Sequence, residues 1–293
     1  MSELASSPDS PTADPRLAKL SINHKTVEGW SMPDFVDGVA AAGLSALGTW
    51  REPVAEFGLE RSAKLIRDAG LRVTSHCRGG FLTATDPAAR ATALADNRRA
   101  IDEAAILGAE SLVMVVGGLP AGSRDLVGAR ERVAEALAEL APYAGERGVR
   151  LSLEALHPMY CADRAVLSTL AQALDLAAPF PSAQVGVVVD TFHLWWDPEV
   201  WASIARAGDR IASFQVCDFL MPIPADALMA RGYMGDGVID FPPFVAAVEA
   251  AGWTGDVEVE IFNADVWAQP KAEVVETVKQ RYLDVVVPDV VPA

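Results

Sequence analysis

The sequence has little positive charge and little cysteine. Its 293 residues include 24 Lys or Arg against 40 Asp or Glu, for a formal net charge of −16. No Lys/Arg run interrupts that acidity, so a phosphate backbone is repelled and nucleic acid is not an expected partner. A heavily phosphorylated substrate is a poor match for the same reason. The three cysteines, Cys77, Cys161 and Cys217, are odd in number, widely spaced and form no CxxC. They read as reduced thiols of a cytoplasmic protein, with no disulfide framework. The apolar run of ~18 residues that a spanning helix needs is also missing, so no membrane partner is expected. The start, Met1 to Pro15, has Ser, Pro and Asp where a signal peptide has basic and apolar regions. Residues 1–15 are therefore expected to be a disordered lead-in, 16–284 one catalytic domain, and 285–293 a loose apolar tail.

What is present is a core and a rhythm. Hydrophobic residues make up 51% of the chain, ample for a large interior. From residue 16 onward a short apolar or β-branched run is followed by a polar turn and an amphipathic helical stretch. The strand candidates are Leu17–Asn23, Ser45–Trp50, Arg72–Cys77, Ser111–Val116, Val149–Glu154, Val185–Asp190, Ile211–Val216 and Val257–Phe262. Several intervening helices end in a glycine suited to a left-handed cap: Gly43, Gly70, Gly108, Gly148 and Gly252. Alternating β and α units imply a parallel sheet, and eight of them predict closure into a single (β/α)8 TIM barrel. The rival, an open doubly wound sheet, usually carries a glycine-rich phosphate turn after its first strand. Here that place holds Asn23-His24-Lys25-Thr26.

Working residues of such barrels lie at the C-terminal strand ends. From the fifth strand onward those ends present Glu154, Asp190, Gln215 and Glu260. The period of two places Glu154 with Ser152, Gln215 with Ser213 and Glu260 with Glu258 on the inner face, while Leu153, Phe214 and Val259 face the helices. One acidic strand end commonly caps a helix or pairs on the surface. Four oxygen-bearing ends in register are harder to explain that way. Carboxylates crowded in one mouth repel unless one stays protonated or a cation neutralises them. An all-oxygen set favours Mn2+ or Mg2+, with Co2+ possible.

Other residues near the predicted mouth are candidate substrate contacts. They are His157, three residues past Glu154; His76 and Arg78 at the end of the third strand; and Trp50 at the end of the second. Arg78 suits a carboxylate or hydroxyls, or a plain salt bridge. Trp195 and Trp196 are adjacent on one loop, where they would line the pocket or meet a second subunit in a homo-oligomer. Asp218 is expected to support Gln215 or a substrate hydroxyl. It opens a long connection to Asp240 with the length of a lid.

Taken together, Leu153-Glu154-Ala155-Leu156-His157-Pro158, Val189-Asp190-Thr191-Phe192-His193, Gln215-Val216-Cys217-Asp218 and Gly235-Asp236-Gly237-Val238-Ile239-Asp240 before Val259-Glu260-Ile261-Phe262 resemble the xylose-isomerase-like barrel superfamily of sugar isomerases and epimerases. The resemblance covers residues 16–283. It implies metal ligands at Glu154, Asp190, Gln215 and Glu260, an acid/base pair in Glu154 and Glu260, and substrate contact by His193. Gln215 departs from the His that many members carry, though some dehydratase members have Gln. The expected activity is metal-dependent isomerisation or epimerisation of a small non-phosphorylated keto-sugar or cyclitol, by proton abstraction next to the carbonyl and a metal-stabilised enediolate. The alternative is a lyase of the same fold that eliminates a β-substituent. A nuclease of the related endonuclease barrel would need more than four His and a basic groove. A metal-free binding barrel is the remaining possibility.

Overall fold

The computed structural model describes residues 14–288. Eight parallel strands close into a barrel: β1 (Leu20–Asn23), β2 (Ala46–Trp50), β3 (Arg72–Gly80), β4 (Leu112–Val115), β5 (Leu151–Leu153), β6 (Val185–Asp190), β7 (Ile211–Val216) and β10 (Val257–Val259). Two short strands intervene in sequence, β8 (Asp218–Phe219) and β9 (Arg231–Gly232), which pair antiparallel outside the barrel. The main core lies between barrel wall and helices, where Leu47, Leu153, Phe214 and Val259 are buried. The helix Pro87–Leu107 shows how sequence sets the elements. Asp86 accepts a hydrogen bond from the Ala89 N–H at 2.8 Å, Pro87 starts the helix without a wasted donor, and Gly108 ends it at φ 68°.

The chain ends depart from expectation. Leu17–Lys19 belong to a 3-10 turn, Pro15–Lys19, and not to the first strand. Pro15 fixes the backbone and the Asp14 carboxylate accepts from the Arg16 N–H at 2.9 Å, so residues 14 and 15 are ordered into the fold. At the other end Val286 is buried, Val285 and Val287 pack on the core, and Arg16 donates to the Val287 carbonyl at 3.1 Å. That part of the tail is held by apolar burial. The rest of the lead-in, 1–13, and of the tail, 289–293, lies outside the described residues. Among the described residues no helix is long and apolar enough to cross a membrane.

Strand register decides what meets in the barrel centre. Gln215 is level with Asp190 on one side and with Glu258 on the other. Glu260 therefore stands one inner layer above Gln215, not at its level, because closing a barrel staggers its strands. The layer below is polar. Glu258 accepts hydrogen bonds from Asn23 Nδ2 (2.8 Å), Ser75 Oγ (2.9 Å), Thr74 Oγ1 and Gln215 Nε2 (3.2 Å). Gly48 on β2 makes room for it, since a Cβ there would lie 2.7 Å from the Glu258 carboxyl carbon.

Candidate active site

Glu154 and Glu260 each lie one residue past a strand, yet their N–H groups continue the ladder to Met114 O (3.2 Å) and Val216 O (3.4 Å). Both side chains therefore keep the inward direction set by alternation. Together with Gln215, Arg231, His193 and Trp50 they line a cavity of about 220 Å³ at the C-terminal mouth. One ligand atom from each of Glu154, Asp190 and His193 lies within 4.8 Å of the others.

Arg231 occupies the middle of this group. It is 2% exposed, and its Nη1 is 3.2 Å from both Asp190 Oδ2 and Glu260 Oε2. Its Nη2 lies 2.9 Å from His193 Nε2. The His157 N–H approaches His193 Nδ1 at 3.2 Å. A neutral imidazole accepts at one nitrogen only, and the shorter contact, to Arg231, takes precedence. Burial, seconded by Arg231, holds His193 well below its usual pKa, so the ring is neutral.

The carboxyls are shifted the opposite way. Burial, then the charges of Asp190 and Glu260, push Glu154 well above the usual range. Burial raises Glu260 to about 7 despite the opposing pull of Arg231. One cation does not balance this cluster, which is the electrostatic condition a divalent ion relieves. The residues fit such an ion. Gln215 Oε1 is a buried carbonyl oxygen with no hydrogen-bond partner, because Glu258 takes the amide's NH2 end. Glu154, Asp190, Gln215 and Glu260 would supply oxygens, while the His193 Nε2 lone pair is taken by Arg231.

The structure divides the remaining candidates. Trp50 and Arg78 line the cavity. Trp50 donates from Nε1 to Asn23 Oδ1 at 2.8 Å and presents its ring edge to Phe262. His76, His157, Trp195 and Asp218 do not line it. His76 is fully buried beside the wall, with Nδ1 2.9 Å from Thr49 Oγ1 and Nε2 3.5 Å from Glu103. The His157 ring packs against Trp196 and Phe219. Trp195 packs on Phe219 at 5.2 Å between ring centroids, so apolar contact turns it away from the mouth. Asp218 supports neither Gln215 nor a pocket group. Its carboxylate accepts from the N–H groups of Phe219, Gly235, Gly237 and Ile239 at 2.8–3.0 Å. The connection that reads as a lid is thereby pinned, and its β8–β9 pairing delivers Arg231.

Arg231 escapes sequence reading. Its signal is faint but present: it is the single basic residue between Asp218 and Asp240, just before Gly235-Asp236-Gly237. Lys25 and Arg164 are further cavity residues that strand-end reasoning does not reach.

A family profile described as xylose isomerase-like TIM barrel matches residues 36–281. The chain belongs to this family. Within the xylose isomerase-like barrels it is similar to protein SMc04130 of Sinorhizobium meliloti 1021. That solved structure is 46% identical, with a TM-score of 0.89 over 92% of this chain and 98% of the other. A 3-dehydroshikimate dehydratase of Pseudomonas aeruginosa is 28% identical over 82% of this chain, which spans 37% of that relative's length. An L-ribulose 3-epimerase of Methylomonas sp. is 26% identical over 79% of this chain and 78% of its own length.

Proposed function

We propose that this protein is a divalent-metal-dependent isomerase or epimerase of a small polyhydroxy carbonyl compound, a non-phosphorylated keto-sugar or cyclitol. The observation that carries this reading is the unpartnered Gln215 Oε1 set among the buried carboxyls of Glu154, Asp190 and Glu260. An ion bound there, Mn2+ or Mg2+ by the oxygen-rich donor set, would favour negative charge developing on a carbonyl oxygen.

The chain's own groups account for the rest. Glu260 with a pKa of about 7 is poised to take or return a proton at neutral pH, and Glu154 is its partner. A proton lost from the carbon next to the carbonyl leaves charge on adjacent oxygens. The Arg231 guanidinium lines the cavity and is placed to donate a hydrogen bond there, and neutral His193, which accepts from its Nη2, holds it in position. Trp50, Phe262 and Val113 give the cavity apolar walls that limit water. Return of the proton to the neighbouring carbon gives isomerisation; return on the opposite face gives epimerisation.

Elimination is the second reading. It is favoured by the dehydratase similarity over 82% of the chain and by Gln at position 215. The same first proton transfer serves it, with loss of a β-oxygen substituent in place of reprotonation.

The test is a screen of keto-polyols with the Mn2+-loaded protein in deuterium oxide, read by NMR. Deuterium at the carbon next to the carbonyl is the expected result, and growth of an enone absorbance would assign elimination. Intact transfer of a substrate deuterium to the neighbouring carbon, with no solvent label, would show a hydride shift and remove the base role from the glutamates.

A further inference from the structure

The cavity lining carries arginines besides Arg231. Arg78 and Arg164 line the same cavity as the acidic cluster. In a chain with a net charge of −16, several arginines pair with acids, as Arg51 does with Asp96 and Glu103, Arg72 with Asp256 and Arg147 with Asp102, and others, such as Arg210, are satisfied by backbone carbonyls. Arg78 has no ion pair among the described residues, and its Nη1 is buried without a hydrogen-bond partner. Arg164 has only the adjacent Asp163, with Nε 3.8 Å from Oδ2, beyond hydrogen-bond reach, and that Nε is likewise buried and unpartnered. Arginines are rarely left without an acid in an acidic chain unless something else meets them, and two such residues lining one cavity point to an acceptor that arrives with the ligand.

Local backbone supports the same reading. Phe81 is the one non-glycine residue with positive φ among those described, at 56°, and its ring is 47% exposed at the cavity rim. The ring lies under the Arg78 guanidinium at 4.4 Å. Strain of that kind persists where the surrounding structure over-determines it, often at ligand clamps. The ring contact restrains the guanidinium, whose fork suits a planar, two-oxygen acceptor. The backbone N–H groups of Phe81 and Leu82 are already taken by Val115 O at 2.9 Å and Val116 O at 2.8 Å, so this turn does not cradle a phosphate with them.

Resting on the reading above, we propose that the substrate carries a carboxylate, held by Arg78 and Arg164 while its carbonyl end meets Glu154, Gln215 and Glu260. The substrate class is thus a keto-acid form of a sugar or cyclitol.

The experiment measures binding of three probes to the Mn2+-loaded full chain by calorimetry: D-fructose, D-fructuronate, which differs from it by a terminal carboxylate, and D-fructose 6-phosphate. The acid is expected to bind about tenfold or more tighter than the ketose. The acid-to-ketose ratio should fall toward one in Arg78→Gln, fall in part in Arg78→Lys, which keeps charge without the fork, and fall in Arg164→Gln. The ratio is the readout, which a general loss of folding would not select. Equal affinities for acid and ketose in the unaltered protein, or a ratio unmoved by all three substitutions, overturn the proposal. Tighter binding of the phosphate ester than of the acid overturns the carboxylate in favour of a phosphate. Loss of metal-dependent binding for every probe overturns the functional reading and this inference with it, whereas ketose binding without gain for the acid overturns this inference alone.

Discussion

Gln215 Nε2 donates to Glu258 Oε1 at 3.2 Å, and this contact aims the other end of the amide into the mouth. A carboxylate only accepts, so it selects the NH2 end and leaves Oε1 facing the acidic cluster. Glu258→Leu should free the amide to turn and leave Asn23, Thr74 and Ser75 without their acceptor. Mn2+ affinity, read by electron paramagnetic resonance, is expected to drop roughly 10–100-fold. Glu258→Gln, which still offers a carbonyl, should lose less. Equal and unchanged affinity in both would show that Glu258 does not orient Gln215.

Glu260→Gln preserves shape and removes the group with a pKa of about 7. Turnover of the substrate found in the deuterium oxide screen is expected to fall by ~10^2–10^4-fold, the usual worth of general acid–base help. Circular dichroism should show the same fold. Near-normal turnover with metal bound would reject the role.

Metal binding should be coupled to proton release. Burial holds Glu260 at about 7 and Glu154 well above its usual range, so at lower pH both are largely protonated in the metal-free protein. A ligand carboxyl must lose its proton before it binds, so affinity rises with pH up to the highest of these pKa values and levels off above it. Calorimetry between about pH 6 and 8 should show tightening by about tenfold per pH unit for each proton released. A pH-independent affinity over that range would contradict the raised carboxyls.

Arg231 pairs with Asp190 and Glu260 while all three are buried. Its removal in Arg231→Leu leaves acids unpaired and is expected to destabilise the metal-free protein by about 3–5 kcal/mol, seen as a lower Tm. Added Mn2+ should recover more stability in this variant than in the unaltered protein, because the ion then carries the neutralisation alone. A Tm equal to that of the unaltered protein would show that the acids are protonated and need no partner.

The barrel, and the inward direction of the four strand-end residues, were legible in the sequence because both depend on local periodicity. Val-rich runs such as Val185–Asp190 alternated with capped amphipathic helices, and a period of two carried Glu154, Asp190, Gln215 and Glu260 to the inner face. Tertiary structure alone decided the rest. Barrel stagger set Gln215 against Glu258 and lifted Glu260 one layer, and stagger is a property of the closed sheet, not of any strand. Arg231 arrived through β8–β9 pairing pinned by Asp218, while packing on Phe219 drew Trp195 and His157 away from the cavity. Loop side chains have no period to fix their direction. Their place follows from partners distant in sequence, and those partners exist only once the chain has closed.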